Sequence, residues 1–378
     1  MVERPRGRAH SVMSTPLPLE SVATLQPLAR WLPHLRGVPR LPLTTLPTPV
    51  EPLERLGRMA GIAPPWIKRD DRSGLLYGGN KPRKLELLLG AACARGRRRV
   101  LTFGGIGTHH GLATAAAARA AGLATTLVLV PQPVTPHVQR CLRLLHALGA
   151  EMRLARNTPD AARQGLSILI RGWLRGEPPV VIPTGGTSVL GALGYLNAGL
   201  ELAEQVRAGL LPEPAAIFAA LGSGGTVAGL LAGLRLGGLS SRVVAVLVTD
   251  ILPPSHRRLL RLSRACLARW APAARVTLST QDLEIERGFV GGGYGAPTPE
   301  ADAARRMLLD AEGITLETTY TAKCLAAMLR QAAARTRGEP LLFWDTFSST
   351  EPSTAPSPLP SPEALPVPFH RFFAAATP

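Results

Sequence analysis

The sequence predicts an α/β fold: two domains, each a three-layer αβα sandwich built on a parallel-rich sheet. Three observations predict it. Short apolar, often β-branched runs alternate with longer helical patterns from about residue 65 to residue 344. Such alternation makes parallel sheets with helices on both faces. Glycine-rich turns follow four of the strand-like runs, at 78–79, 104–111, 184–188 and 222–226. The chain has 378 residues, 46% hydrophobic and 18% charged, enough for two sizeable cores.

In order, residues 65–69 read as a short strand, followed by an acidic turn and a helix over 85–94. A strand at 100–103 runs into the second glycine turn, and an alanine-rich helix covers 112–121. Strands at 124–130, 151–154 and 180–183 are separated by helices at 138–148 and 159–175. A helix at 190–207, a strand at 215–221, a helix at 227–234 and a strand at 243–249 follow. Helices near 255–269, 299–312 and 322–334 precede a last strand at 341–344. The window 215–234 carries no charge, but Gly222-Ser223-Gly224-Gly225 interrupts it, which favours a strand, a turn and a buried helix over a membrane span.

Composition narrows the partners. The net charge is +17 and the pI about 11.1, which permits nucleic-acid binding. The arginines are spread over nearly every helix, aromatics are 4%, and no zinc-finger, RNP or basic-zipper signature accompanies them. No nucleic-acid partner is expected. Cys93, Cys141, Cys266 and Cys324 are widely spaced in apolar helical stretches. They are expected to be free thiols in a reducing compartment. Residues 1–39 show no signal-peptide pattern and are expected to form an N-terminal extension of a cytoplasmic protein. Residues 351–378 hold eight prolines among Ser, Thr and Ala. They are expected to be a disordered tail, with Phe369, Phe372 and Phe373 on a frayed end.

Chemistry centres on Gly78-Gly79-Asn80-Lys81-Pro82-Arg83-Lys84-Leu85-Glu86. Pro82 suits a first helical position, which puts Lys81 at a strand-to-helix junction where unpaired N–H groups favour anions. Only four of the 43 basic residues are lysine, and two of them, Lys81 and Lys84, sit here. Lysine can form an imine and arginine cannot. A solvated helix start accounts for the same stretch equally well. The turn Gly222-Ser223-Gly224-Gly225-Thr226 is the second signal. Its backbone N–H groups and hydroxyls suit one phosphate monoester; it lacks the Gly-Lys-Ser/Thr of a nucleotide loop. A tight turn that merely needs glycine is the alternative.

An imine-forming lysine with a single-phosphate cradle suggests pyridoxal 5′-phosphate. The lysine stretch closely resembles the motif of the 1-aminocyclopropane-1-carboxylate deaminase and D-cysteine desulfhydrase family, within the tryptophan-synthase-β-like, fold type II class. The resemblance spans roughly residues 41–347. It includes Leu46-Pro47-Thr48-Pro49-Val50-Glu51-Pro52-Leu53, the turn at 222–226, Gly292-Gly293-Tyr294-Gly295-Ala296-Pro297 and Thr319-Tyr320-Thr321-Ala322-Lys323.

The resemblance implies that Lys81 holds the cofactor covalently and later shuttles protons. It implies cofactor roles for Asn80 and Lys84, and a phosphate site at Ser223, Gly224, Gly225 and Thr226. Thr108 falls where the family has a serine facing the substrate, and His109 where it has an asparagine near the cofactor's phenolic oxygen. Tyr294 and Tyr320 would face the reacting carbon or the substrate carboxylate. Thr321 would lie at the pyridine nitrogen, where the deaminases carry glutamate. A hydroxyl there leaves that nitrogen more nearly neutral, which suits α,β-elimination from D-cysteine or another β-substituted alanine.

Two segments depart from the family pattern: Gly107-Thr108-His109-His110, and Asp345-Thr346-Phe347-Ser348-Ser349 in place of His-x-Gly-Gly. They are the support for a different expectation, a non-catalytic descendant that binds the cofactor or an amino acid. Adjacent side chains of His109 and His110 diverge, so no metal site is expected. By resemblance the protein is a homodimer, with a large cofactor-binding domain from 40–83 and 186–350, a smaller inserted domain from 84–185, and the cofactor in the cleft.

Overall fold

The computed structural model describes residues 16–251, 253–334, 338–348, 350–353 and 355–373. Its strands are β1 (Glu20–Ser21), β2 (Pro39–Arg40), β3 (Val50–Pro52), β4 (Trp66–Arg69), β5 (Arg99–Gly105), β6 (Ala124–Val130), β7 (Glu151–Leu154), β8 (Val180–Val181), β9 (Ala216–Leu221), β10 (Arg242–Leu247), β11 (Leu283–Glu286) and β12 (Leu341–Asp345). Its α-helices are α1 (Leu28–Trp31), α2 (Glu54–Ala60), α3 (Asn80–Ala94), α4 (His109–Ala120), α5 (Pro136–Ala147), α6 (Thr158–Leu174), α7 (Val189–Arg207), α8 (Gly225–Leu236), α9 (His256–Trp270), α10 (Pro299–Glu312) and α11 (Thr321–Ala334).

Six strands form one sheet in the order β11-β10-β9-β12-β4-β3, parallel except at the β3–β4 edge. Four form an all-parallel second sheet, β7-β6-β5-β8. The chain leaves the large sheet after β4, builds the small one, and returns with β9. We propose the division at 83/84 and 185/186 on this sheet membership, although α3 itself runs across the first boundary.

Alternation of side chains makes each sheet the middle of three layers. In β9, Ile217 and Ala219 join the core beneath α7, α8 and α9. Phe218 and Ala220 join the opposite core, with Leu308 of α10 and Leu325 of α11. In the small sheet, Leu127 and Leu129 face the α4 and α5 side, and Val128 faces α6. The uncharged window is β9, the turn and α8. Glycine is required within it. A Cβ at Gly229 would lie 2.2 Å from Ala192 O of α7, and one at Gly233 would lie 2.1 Å from Leu196 O. No helix among the described residues is long and apolar enough to cross a membrane.

Several expectations need correction. Helix α3 begins at Asn80 after Gly79, so Pro82 is its third residue and Lys81 its second. The prolyl nitrogen still falls among the first-turn positions that have no helical acceptor. Strands β3 and β11 and helix α2 went unread, because each is short and rich in charge; β11 reads Leu-Glu-Ile-Glu. Among the described residues the C-terminal segment is not a loose tail; residues 354 and 374–378 lie outside them. Leu365, Phe369 and Phe372 are buried in the core of the small sheet beside α5. Arg143 of α5 donates to the carbonyls of Leu359 and Pro360 at 3.0 and 2.6 Å, and Arg140 pairs with Glu351. Buried aromatic area outweighs the extended, proline-rich backbone that the composition advertises. Residues 16–39 of the N-terminal extension are also packed, residues 1–15 lying outside the described residues: Val22, Leu25 and Leu28 enter the large core, and Leu28 N donates to Asn197 Oδ1 of α7 at 2.8 Å.

A buried ion network ties α3 to the large sheet and to α7. Arg83 of α3 donates from Nη2 and Nε to Asp70 at 2.7 and 3.0 Å, and from Nη1 and Nη2 to Glu201 of α7 at 2.9 and 3.0 Å. Lys68 of β4 donates to Glu201 Oε1 at 2.6 Å. Asp70 Oδ2 also accepts from Tyr195 Oη at 2.6 Å and Trp344 Nε1 at 2.8 Å. Burial alone would raise the Glu201 carboxyl, but Arg83 and Lys68 hold it down, to about 2. Two cations and two carboxylates balance, and breaking a buried set from one side leaves charge uncompensated. Arg83→Met should lower the unfolding free energy by ~3–5 kcal/mol in urea denaturation. Wild-type stability in that variant would show that the network carries none of it.

Candidate active site

Lys81 is positioned by a loop with no room for side chains. Gly79 has φ +84°, and a Cβ there would sit 2.6 Å from Thr346 O. Gly78 N donates to Ser348 Oγ at 2.9 Å, Asn80 N to Thr346 O at 3.2 Å, and Ser73 Oγ to Gly79 O at 2.6 Å. The segment after β12, which departs from the family pattern, is therefore what holds the lysine loop. Lys81 Nζ donates to Asn80 Oδ1 at 2.5 Å, and Asn80 Nδ2 to Thr226 Oγ1 at 3.0 Å, so the lysine is wired to the glycine turn before α8. Burial lowers the Lys81 amine to about 8, against an opposing pull from Glu317.

In that turn Gly224 has φ +96° and Gly225 opens α8. The hydroxyls of Ser223 and Thr187 lie 2.7 Å apart, and Gly225 N donates to Thr187 Oγ1 at 3.2 Å. Gly185, with φ +67°, lies against Ser223: a Cβ there would come within 2.3 Å of its Oγ. Lys84 Nζ donates to Gly185 O at 3.0 Å, its only acceptor among the described residues. Burial, and then Lys81, lower that ammonium well below its usual value. A buried amine with one acceptor at a hydroxyl-lined glycine cradle suits an anion, whose charge would favour the ammonium form again.

Across the cavity, Thr108 caps α4 by accepting from Gly111 N at 3.0 Å, which leaves its hydroxyl proton unused. His109 Nδ1 lies 2.6 Å from Tyr77 Oη. With the phenol as donor, the proton of His109 sits on Nε2. The His109 ring stacks on His137 at 4.6 Å and meets the edge of Phe347 at 5.3 Å. Burial lowers His109 to about 3, with smaller contributions from His137 and Lys81, so it stays neutral. His110 is equally held neutral; Thr102 Oγ1 donates to Ile182 O at 2.8 Å and so accepts from His110 Nε2 at 2.9 Å. Its Nδ1 is buried without a partner.

Tyr294 and Tyr320 hold their hydroxyls 2.6 Å apart, and burial raises both phenols. Glu317 braces this wall. Its carboxylate accepts from the backbone N–H of Thr319, Tyr320 and Thr321 at 2.6, 2.8 and 2.7 Å, and from Thr321 Oγ1 at 3.1 Å. Lys81, Asn80, Lys84, Thr108, His109, Ser223, Gly224, Thr226, Tyr294, Tyr320 and Thr321 all line one cavity of about 800 Å³. Gly225 lies just behind it. Sequence reasoning missed Thr187, Glu317, Tyr77 and Phe347.

A family model described as "Pyridoxal-phosphate dependent enzyme" matches residues 41–344. The chain belongs to this family. It is 34% identical over 326 residues to D-cysteine desulfhydrase of Salmonella choleraesuis (strain SC-B67), covering 83% of this chain and 95% of that one. It is 35% identical over 322 residues to nocardicin C-9′ epimerase of Nocardia uniformis subsp. tsuyamanensis, covering 83% and 94%. A crystal structure of an ACC deaminase homologue superposes with a TM-score of 0.74 at 31% identity, covering 86% of this chain and 96% of that one.

The cofactor of this pyridoxal-phosphate-dependent enzyme is pyridoxal 5′-phosphate, and the residues present fit it. A desolvated amine stands beside a cradle that a Cβ at Gly185 would fill, and Lys84 awaits an anion. Because only the neutral amine condenses with an aldehyde, cofactor attachment should accelerate as pH rises and level off above about 8. Stopped-flow absorbance on the cofactor-free protein checks this; an inflection near an ordinary lysine value would contradict it. Gly185→Ala should weaken cofactor binding by about tenfold or more, read by fluorescence titration, since a Cβ strains a left-handed residue and displaces Ser223.

Proposed function

We propose that the protein is a pyridoxal-phosphate-dependent lyase that acts on a small amino acid by α,β-elimination, as D-cysteine desulfhydrase does. With cysteine the products are pyruvate, ammonia and sulfide. The observation that carries this reading is the juxtaposition of a buried Lys81, its amine lowered to about 8, with the unused hydroxyl proton of Thr108 in one cavity. The bound cofactor supplies an aldehyde for the substrate amine and an electron-withdrawing ring at the α-carbon.

The protein's part is positioning and proton transfer. Lys81, or Thr108 through its unused hydroxyl proton and lone pairs, takes the α-proton. Ser223, Gly224, Gly225, Thr226 and Lys84 hold the phosphate, with Thr187 bracing the cradle. His109 presents a fixed Nε2–H to an acceptor such as the phenolic oxygen, the task an amide N–H performs in the family pattern. Tyr294 and Tyr320 form one hydrogen-bonded pair that would face the substrate, and Thr321 would face the ring nitrogen. Thr321 donates to Glu317, so a carboxylate would stand one hydroxyl away from that nitrogen. That arrangement favours a second reading, ring-opening deamination of 1-aminocyclopropane-1-carboxylate. We also infer a cytoplasmic homodimer from the family resemblance, and the four free cysteines suit a reducing compartment.

The test is product formation by cofactor-loaded protein. Incubation with D-cysteine, β-chloro-D-alanine and their L-forms should yield pyruvate, and Lys81→Ala should yield none. 2-Oxobutyrate from 1-aminocyclopropane-1-carboxylate would establish the second reading. Cofactor binding with no keto acid from any of these would leave a binding protein and sink the lyase.

A further inference from the structure

Resting on the lyase reading, we propose that the substrate is a β-substituted alanine whose leaving group is bulky and apolar, such as an S-benzyl cysteine, rather than cysteine itself. The cavity measures about 800 Å³. Cofactor and cysteine together contain on the order of twenty heavy atoms; at ~30 Å³ each, the share of a water molecule in its liquid, they fill ~600 Å³. That allowance is generous, because protein sites pack more tightly than water. Space on the order of a benzyl group remains.

The chemistry of the remaining wall says what fits it. The cofactor-directed polar groups gather at α3, the turn before α8 and the start of α11. The side toward α6 is walled by Phe103, Val128, Val130, Pro133, Ala161 and Ala162. No charged side chain joins this wall. Asp160 and Arg163, on the same helix, pair with each other at 2.7 Å and lie outside the cavity. Gln132, the amide nearest this wall, has its Oε1 engaged by Gly107 N at 3.2 Å. Thr158 also lines this side and the Gln132 amide nitrogen is a donor there, but the six apolar side chains make up most of the wall, so an apolar substituent gains by burial.

The proposed step balances. The α-proton goes to Lys81 or Thr108, the Cβ–S bond breaks, and the electron pair leaves on sulfur as the apolar thiolate. The enamine that remains takes up water and gives pyruvate and ammonia.

Full-length protein loaded with pyridoxal phosphate is titrated with cysteine and with S-benzyl-cysteine, in D- and L-forms, following visible absorbance and then pyruvate. The preferred antipode of S-benzyl-cysteine should half-saturate at about tenfold lower concentration than cysteine. Ala161→Phe, which fills the space, should cut that preference by about tenfold. Ala162→Trp, at the exposed rim, provides the same reading should the buried substitution fail to fold. Equal or weaker response to the benzyl compound, or a preference unchanged in both variants, overturns the proposal. Absence of any cofactor band in the wild-type protein is a different result, and it overturns the lyase reading as well.

Discussion

Arg83 is the constraint on which the remainder of the structure depends. Its guanidinium spans Asp70, at the end of β4, and Glu201, in the middle of α7. Those contacts fix the height and rotation of α3. Lys81 lies two residues earlier on that helix and Lys84 one residue later, so both amines inherit their placement from a bidentate grip on either side. Arginine suits this because its planar fork satisfies two carboxylates at once. Desolvating four charges is costly, and the Tyr195, Trp344 and Thr48 hydrogen bonds to the same oxygens offset part of it.

Burial then does double duty at the site. The same desolvation that depresses Lys81 brings its nucleophilic, neutral form within reach, and it depresses Lys84 as well, so that an anion at the cradle would restore the Lys84 charge. His109 and His110 are kept neutral for the same reason, and their protons are placed by hydroxyl partners rather than by carboxylates. The cavity thus arranges donors and a base around the phosphate cradle, and its two acidic groups, Glu317 and Asp250, both accept from backbone N–H groups.

Much of this was legible in the sequence. Apolar runs and glycine turns gave both sheets, because buried parallel strands have no polar face to blur the pattern. The lysine stretch and the glycine turn were legible because a left-handed residue and a tight backbone approach leave few alternatives to glycine. Edge strand β11 was not, since half of its residues are glutamate. Tyr77 and Thr187 were invisible for another reason: each matters only through a partner more than thirty positions away. The C-terminal segment misled because proline-rich composition describes an isolated chain, whereas Phe369 and Phe372 find a ready-made hollow beside α5.

That segment has one more consequence. The backbone passes from β12 through Phe347 and Ser348 at the cavity edge, then across to α5 by way of Glu351. A fluorophore placed near residue 373 therefore travels with the small sheet, while one on α10 travels with the large sheet. Energy transfer between the two measures the separation of the sheets in solution with and without ligand, with no label near the chemistry.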